Sequence, residues 1–288
     1  MITGIIGGSG LYDIGLTEVE EIDIKTPFGQ PSDTFRRGKL EGQEVIFLAR
    51  HGQGHKLLPH ELNHRANIWA MKKLGVESIV SMSAVGSLRE DMVPLDFVIV
   101  DQYVDHLRRQ DLTFYGDGAI AHISLADPAC ASLQKQAYKA ADQLLTSETG
   151  TAKAHSKGTY INMQGPAFST KAESKLYRQW GMDIIGMTNF GEAKLAREAE
   201  ICYVTVAMVT DYDCWHPEHD AVTIEEVIDN LNKNANHAKN FLKKLLPNLN
   251  HNCTHGCRHA LKTGLMSPLE MIPDATKEKL APILKKYL

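Results

Sequence analysis

The sequence has little of several features that mark specialised protein classes. No stretch of its 288 residues reaches the roughly 18 uninterrupted apolar residues of a membrane-spanning helix, so we expect no membrane partner. Lys and Arg number 31 against 35 Asp and Glu, and the net charge of −4 gives no support to a nucleic-acid partner. The segment MITGIIGGSG lacks the basic region of a signal peptide, so we expect a cytoplasmic protein.

Short β-rich runs alternate with longer helical patterns along the chain, which could hold two domains or one large domain. Strands are predicted at Ile2–Ile6, Val45–Ala49, Ser78–Ser83, Phe97–Val100, Gly158–Met163, Asp183–Gly186 and Cys202–Thr210. Helices are predicted at Asn63–Leu74, Ala129–Leu145, Lys171–Trp180, Glu192–Glu200 and Ile224–Leu246. This alternation predicts an α/β fold with a mostly parallel or mixed sheet covered by helices.

The last 40 or so residues follow a different pattern. We therefore divide the chain into a main domain, residues 1–246, and a C-terminal tail, residues 247–288, whose short helices pack on the same domain. One of these helices is expected to begin with Ser267 as its cap and Pro268 at its first position.

Polar residues and glycines follow the predicted strands where these end, which is where α/β sheets bind ligands. Three hydroxyl groups, a guanidinium, an imidazole and a glycine-rich loop together predict a phosphate site. The side chains are Ser9, Arg50, His51, Ser83 and Thr188. Taken singly, the glycine loop could be a tight turn and Arg50 a surface ion pair, so the prediction depends on the combination.

Asp211 and Asp213 end a long apolar strand two residues apart, so both can face the same way. Two close carboxylates raise one pKa, which would place an acid beside a hydrogen-bond acceptor. The alternative is a solvated acidic turn.

The tail contains a segment in which His and Cys alternate, from His251 to His259. Zinc binds both residue types, but five of them interleaved within nine positions cannot all bind one ion. A disulfide between Cys253 and Cys257 is a second alternative and free thiols are the third. Free thiols are what we expect, with no metal ligand among the site residues.

The motifs resemble the purine nucleoside phosphorylase superfamily, in particular its S-methyl-5′-thioadenosine phosphorylase branch. The similarity runs over roughly residues 1–246 and is most specific in GMT and TDYDCW. It is carried by IIGGSGL, TPFGQPSD, LARHG, NHRANIWAMKKLG, SAVGSLRE, HSKGTYINMQGPAFST, ESKLYRQWGMDIIGMT, EAKLARE and AMVTDYDCW.

The resemblance implies one α/β domain with a distorted mixed central sheet flanked by helices, assembled as a homotrimer or a dimer of trimers. It also implies phosphorolysis of 5′-methylthioadenosine to adenine and 5-methylthioribose 1-phosphate in methionine and purine salvage. The small-molecule partners are then the nucleoside and inorganic phosphate, a co-substrate, and no metal or organic cofactor is expected.

The resemblance assigns roles to individual positions. Phosphate contacts are expected from Ser9, Arg50, His51, Ser83, Ala84 and Thr188. Substrate contacts are expected from Met187 at the ribose, Asp211 and Asp213 at the base, and also from Phe168, Val227 and His122, the last reaching a neighbouring subunit's site. Ser169 and Ile224 match positions associated with substrate choice. We expect Asp211 to protonate purine N7 and Asp213 to accept from the 6-amino group, while Ile224 and Val227 make an apolar 5′ pocket.

The chain also departs from the family pattern. Ser9 and Ser83 stand where Thr is usual, Ala167 replaces an Arg and Gly191 a Pro. A 6-oxopurine nucleoside phosphorylase is the nearest alternative function, although it would carry Glu at position 169 and Asn in place of Asp at the base. A non-catalytic nucleoside sensor on the same fold is the other.

Overall fold

The computed structural model of the chain describes residues 1–107, 111–216 and 224–288, without the side chains of 224–226. Its strands are β1 (Ile2–Gly7), β2 (Thr17–Ile22), β3 (Phe35–Leu40), β4 (Gln43–Ala49), β5 (Val76–Ser87), β6 (Phe97–Ile99), β7 (Gln102–Asp105), β8 (Ala154–His155), β9 (Thr159–Asn162), β10 (Ile184–Gly186) and β11 (Cys202–Asp211). Its α-helices are α1 (His64–Lys73), α2 (Ala131–Glu148), α3 (Lys171–Gln179), α4 (Asn189–Glu198), α5 (Ile224–Leu245), α6 (Asp274–Lys279) and α7 (Ala281–Leu284). Within the described ranges, no helix combines the length and apolar character that a membrane crossing requires.

The strands form one mixed sheet, which confirms the predicted fold class. Its main path runs β2-β3-β4-β1-β5-β10-β9-β7, while β11 pairs with β5 and β6, and β6 with β8. The central strands β4, β1, β5 and β11 are parallel, whereas β10 runs antiparallel to β5. The carboxyl ends of the four parallel strands therefore meet at one edge, as the sequence predicts.

The long strand β5 changes partner along one of its edges. The β1 ladder ends at the pair Ile6 and Ser81, and the β10 ladder begins at Ile185 and Gly86. The opposite edge stays paired with β11 from Ser78 to Gly86. The described ladders thus leave residues 82–85 without a partner on one edge, so the sheet opens there.

Helices cover both faces of the sheet, because its central strands are apolar on both sides. On one face α2 and α5 pack on Val204, Val206 and Met208 of β11. On the other, α1, α4 and α7 surround a second core cluster. The sequence predicts two capping boxes, Thr170 with Glu173 and Thr223 with Glu226. The first forms at the start of α3, whereas Thr223 of the second lies outside the described residues.

The tail lies against both faces. Leu249 and Cys253 pack against the α2–α5 core, while Leu261, Ile283 and Leu284 belong to the other core. The Trp69 indole donates to the Lys279 carbonyl at 3.0 Å, which holds α1 to the tail. The boundary at residue 246 itself stays a prediction.

The predicted cap at Ser267 is wrong. A short 3₁₀ helix, Leu269–Met271, forms there after Pro268, without a side-chain cap. The Ser267 hydroxyl instead accepts from the Ile120 N–H at 2.8 Å and donates to the Gly118 carbonyl at 3.2 Å. A serine hydroxyl can cap a helix or bond to the backbone of a distant segment, so tertiary contacts decide which hydrogen bond forms.

Candidate active site

A cavity of about 770 Å³ opens where the central strands end. Most of the residues that the sequence predicts for the site line this cavity, although they lie far apart in the chain. They are Ser9, Arg50, His51, Ser83, Ala84, Phe168, Met187, Thr188, Asp211, Asp213 and Val227. The cavity has a polar end, a pair of carboxyl groups and an apolar wall, and each arises from a different part of the fold.

The polar end of the cavity lies at the opening beside β5, where residues 82–85 no longer pair with β1. Gly8 follows β1 and must be small, because a Cβ there would lie 2.7 Å from both Arg50 Nη1 and the Met82 carbonyl oxygen. The turn can therefore bring Ser9 close to Ser83 and Ala84, where the β5 backbone has polar groups to offer an anion.

Arg50 follows β4 and is almost completely buried. Its Nε donates to Glu192 Oε1 at 2.5 Å, its Nη2 to Ser81 Oγ at 2.6 Å and its Nη1 to the Met82 carbonyl at 3.1 Å. Burial opposes the charge of the guanidinium, but the Glu192 carboxylate outweighs burial and raises the Arg50 pKa. The cation is thus fixed in orientation at the cavity wall.

Glu192, which sits in α4, is the centre of a buried polar network. It accepts hydrogen bonds from Ser81 and Tyr203 as well as from Arg50. The neighbouring Asn189 amide donates to Ser81, Tyr203 and Thr205. Because every group in such a network fixes the next, Arg50 has little freedom to reorient.

His51 stands next to Arg50 as a neutral ring. Burial and the Arg50 charge lower its pKa to about 4. Its Nδ1 lies 2.8 Å from the Leu57 carbonyl oxygen, which can only accept, so Nδ1 carries the proton. At neutral pH the other ring nitrogen, Nε2, is therefore an acceptor.

Thr188 lies directly before α4, at the helix end where backbone N–H groups and the macrodipole favour negative charge. Its hydroxyl donates to Asn189 Oδ1 at 3.1 Å. The polar end of the cavity thus combines a helix N-terminus, a buried cation and three hydroxyl groups, which together suit a dianionic phosphate.

Asp211 and Asp213 lie at the end of β11, both turned to the cavity. Asp211 accepts from the Thr210 hydroxyl at 2.7 Å and from the Asp213 N–H at 2.8 Å. Asp213 takes a left-handed backbone conformation, φ +54°. Its Oδ2 is buried and has no hydrogen-bond partner among the described side chains and backbone. This carboxyl is therefore ready to accept from a ligand.

The pKa values of both carboxyl groups are raised, but the cause differs from the one that the sequence suggests. Burial raises the Asp211 pKa most, and the neighbouring Asp213 charge adds the least of the contributing effects. Burial also raises the Asp213 pKa, against the lowering by the Ser174 and Ser169 hydroxyls. The low-dielectric pocket, more than the pairing of two carboxylates, prepares Asp211 to hold a proton.

Another part of the cavity wall is formed by apolar side chains. Met163, Met187, Val227 and Leu231 line it together with Phe168, which is 74 % exposed at the mouth. Val227 lies in the first turn of α5, so the helix presents it beside the end of β11. Such a wall suits a thioether or methyl group better than a hydroxyl.

Two predicted residues, Ser169 and His122, are not among the described residues that line the cavity. Ser169 lies behind Asp213, and its carbonyl accepts from the Cys214 thiol at 3.2 Å. Ile224 begins α5, but its side chain is outside the described residues. His122 is exposed, in a loop held by the tail through the bond from the His122 N–H to the Gly264 carbonyl.

Two ring side chains at the site and the main partner of Arg50 were not predicted from the sequence. Tyr12 and His55 line the cavity and are joined by a 2.7 Å hydrogen bond, and the His55 ring stacks on His51 at 4.5 Å. Glu192 is separated from Arg50 by 142 positions, so no local pattern links them. The only signal for His55 is its place in the segment His51-Gly-Gln-Gly-His55.

The chain is similar to known proteins over almost its whole length. The sequence model of the Phosphorylase superfamily matches residues 3–247. The chain belongs to this superfamily. Among its relatives is the S-methyl-5′-thioadenosine phosphorylase of Koribacter versatilis, 53% identical over 99% of this chain and 96% of that protein. The Gloeobacter violaceus protein of the same name is 54% identical over 99% of this chain and 95% of its own length.

Solved structures of superfamily members share the fold. A methylthioadenosine phosphorylase sourced from an antarctic soil metagenomic library matches with a TM-score of 0.90 and 47% identity, over 98% of both chains. The methylthioadenosine phosphorylase of Schistosoma mansoni in complex with adenine matches with a TM-score of 0.81 and 32% identity, over 98% of this chain and 97% of its own.

Of the departures from the superfamily pattern, the one at position 191 has a structural setting. Gly191 lies in the first turn of α4, where a Cβ would sit 3.0 Å from the His64 ring of α1, so it allows close packing of the two helices. Nothing in the structure explains Ala167.

Proposed function

We propose that this protein catalyses the phosphorolysis of S-methyl-5′-thioadenosine to adenine and 5-methylthio-α-D-ribose 1-phosphate. The observation that carries the proposal is the single cavity with an anion-binding end, a pair of buried carboxyl groups and an apolar wall. The names of the relatives support the same substrate. The reaction belongs to methionine and purine salvage.

Phosphate is held at the polar end by Arg50, the α4 N-terminus and the hydroxyls of Ser9, Ser83 and Thr188. One of its oxygens forms a bond to the anomeric carbon while the bond from that carbon to purine N9 breaks. The bonding electron pair leaves with the base, and positive charge grows on the ribose beside the phosphate. Holding the nucleophile in place removes most of the entropic cost of the step.

Asp211 supplies a proton to purine N7, which makes adenine a better leaving group. Its raised pKa keeps a larger share of the carboxyl protonated at neutral pH. Asp213 stays an acceptor, and its unpaired Oδ2 receives the 6-amino group of adenine. Met187 contacts the ribose, and Phe168 and Val227 contact the substrate along the apolar wall. Every step uses groups of the chain, phosphate and the nucleoside, so the proposed reaction needs neither a metal nor an organic cofactor.

We also propose that the protein is a cytoplasmic homotrimer or dimer of trimers in which His122 enters the site of a neighbouring subunit. His122 is exposed, and the adjoining Ile120 and Met266 are 53 % and 62 % exposed. The Met266 N–H donates to the Ile120 carbonyl at 2.8 Å, so the two apolar side chains belong to one surface. An apolar surface of this kind is typical of a protein–protein interface.

The alternative of a 6-oxopurine nucleoside phosphorylase is disfavoured by Asp213 and Ser169. A 6-oxo group only accepts hydrogen bonds, so it would face an acceptor in Asp213. A non-catalytic sensor would bind the nucleoside without turnover.

One assay separates the three functions. Release of adenine from S-methyl-5′-thioadenosine is followed with and without inorganic phosphate, and inosine is offered in parallel. Phosphate-dependent adenine release is expected. Faster hypoxanthine release would favour the 6-oxopurine enzyme, and binding without any release would favour the sensor. Equal rates without phosphate would indicate a hydrolase.

A further inference from the structure

Four of the five cysteines come together beside the start of β11, outside the cavity. Cys130 directly precedes α2, Cys202 begins β11, and Cys253 and Cys257 belong to the tail. Their Sγ atoms all lie within 4.8 Å of one another. Three of the side chains are buried, and Cys253 is partly buried.

The spacing of these sulfur atoms fits a tetrahedral metal site. Zinc binds thiolates at about 2.3 Å, which places sulfur atoms at the corners of a tetrahedron about 3.8 Å apart. Cys130 and Cys253 Sγ are separated by 3.9 Å. The tail pair has three residues between its cysteines, within the spacing of two to four that is common in structural zinc sites. Two distant cysteines complete the set.

We propose that Cys130, Cys202, Cys253 and Cys257 bind one structural Zn²⁺ ion. This revises the expectation of free thiols, which considered only the tail. The histidines of the tail segment are not ligands in this site. Each of the four cysteines supplies one sulfur atom to the ion. Soft thiolate donors in tetrahedral geometry select zinc over the hard cations Mg²⁺ and Ca²⁺.

The surroundings suit the charge of the site. Four thiolates around Zn²⁺ carry a net charge of −2, which burial alone would penalise. Cys130 stands at the N-terminus of the 18-residue helix α2, whose dipole favours negative charge. The Arg197 guanidinium also lies close enough to Cys257 to interact with it electrostatically. Gly256, at φ +69°, allows the turn that brings Cys257 back to the cluster.

The ion would hold the tail to the main domain. Cys130 and Cys202 belong to the α/β core, whereas Cys253 and Cys257 lie beyond α5 in a segment with few regular hydrogen bonds. From Cys257 the chain continues into the 3₁₀ helix Cys257–Lys262, which leads to Gly264, the partner of His122. The site therefore fastens the segment that supports the His122 loop.

Metal analysis of the purified full-length protein tests the proposal. The protein is prepared with reductant and without added metal or a metal-affinity step. We expect about one zinc per chain, and less than about a tenth of that in Cys253→Ser, because three thiolates hold the ion far less tightly. Cys214→Ser is the matched control, since Cys214 lies outside the cluster and the variant should keep all its zinc. Zinc well below half an equivalent in the wild type would overturn the proposal.

A second measurement keeps the test valid if Cys253→Ser folds poorly. Wild-type protein depleted of metal and loaded with Co²⁺ should show the strong visible absorption of tetrahedral Co²⁺ with four thiolates. Absorption typical of oxygen and nitrogen ligands would contradict a four-cysteine site. Adenine release by Cys253→Ser should keep the wild-type turnover number at a temperature where it is folded, while its melting temperature falls.

Thiol counting distinguishes zinc from the disulfide alternative. After denaturation with a chelator and without reductant, a zinc-loaded chain yields all five thiols. One disulfide would leave three free thiols, and two disulfides would leave one free thiol. Either count, in protein that lacks zinc, would overturn the proposal.

Discussion

Asp213 is the residue that most directly predicts selectivity for the base. One of its carboxylate oxygens is buried and has no hydrogen-bond partner among the described groups. In the proposed reaction the adenine 6-amino group donates to this oxygen, whereas a 6-oxo group would leave two acceptors facing each other. That mismatch costs about 1–3 kcal/mol, so methylthioadenosine should be preferred over methylthioinosine by roughly 10- to 100-fold in kcat/KM. Asp213→Asn adds a donor and should lower this ratio.

The check is the ratio of the two catalytic efficiencies in wild type, Asp213→Asn and the control Asp229→Asn, whose carboxylate is exposed on α5. An unchanged ratio in Asp213→Asn would show that Asp213 does not contact the base.

His51 makes the second residue-scale prediction, on stability and pH. Its folded-state pKa is about 4, below the ordinary 6.5 of the unfolded chain. The unfolded state therefore takes up the proton first, and the stability that His51 contributes is present above pH 6.5 and lost as pH falls through 4. Over that window the loss is on the order of 3 kcal/mol. His51→Gln should be less sensitive to acid.

Denaturant unfolding of wild type, His51→Gln and the exposed control His60→Gln at pH 7.5 and 4.5 measures this. If the two variants lose the same free energy of unfolding between these pH values, the ring is not held neutral in the fold.

At the scale of elements, the end of β4 and the first turn of α4 are joined by Arg50 and Glu192. Arg50→Ala should raise the KM for phosphate strongly and also destabilise the protein by about 3–5 kcal/mol, because Glu192 is left buried and unpaired. The double variant Arg50→Met with Glu192→Gln removes both charges. It should recover much of the stability while phosphate binding stays weak.

Thermal unfolding and phosphate kinetics on the two variants separate the roles. Recovery of phosphate affinity in the double variant would mean that Arg50 acts only as a structural partner of Glu192.

The first turn of α5 supports a second prediction at this scale, on the 5′ group of the substrate. Burying one methylthio group in place of a hydroxyl is worth about 1–3 kcal/mol, so methylthioadenosine should exceed adenosine by roughly 10–200-fold in kcat/KM. Val227→Asp places a polar group in the wall and should reduce this preference. Lys233→Asp, on the exposed face of the same helix, should not. Equal kcat/KM for the two nucleosides in the wild type would refute the apolar pocket.

Elements with a clear hydrophobic period could be predicted from the sequence, and those without one could not. The buried strands β1, β4 and β11 and the helices α1 and α5 lie close to their predicted bounds. The strand β2, with the sequence TEVEEI, was missed because it is exposed at the sheet edge and polar. At the site, residues at strand ends were predictable because parallel strands share an edge. The Glu192 network and the four-cysteine cluster were not, because their members are far apart in the chain.

At the scale of the whole molecule, the exposed surface around Ile120 and Met266 predicts association. Light scattering should give the mass of three 32.0 kDa chains, or of six if two trimers associate. The variant Ile120→Glu with Met266→Glu should dissociate the oligomer and lower activity, because in the proposed assembly each site then loses the partner's His122. Val19→Glu, at the exposed edge strand β2, should do neither. A fully active monomeric double variant would contradict the proposed assembly.

In the proposed reaction, phosphate held at the end of the central strands is the nucleophile. The most direct measurement is ³¹P NMR of the wild-type protein with S-methyl-5′-thioadenosine and limiting inorganic phosphate, with adenine quantified in the same samples. We expect a sugar phosphate ester to appear in a one-to-one ratio with adenine, and the formation of both to stop when phosphate is exhausted. Adenine that accumulates without the ester, or beyond the phosphate supplied, would contradict it.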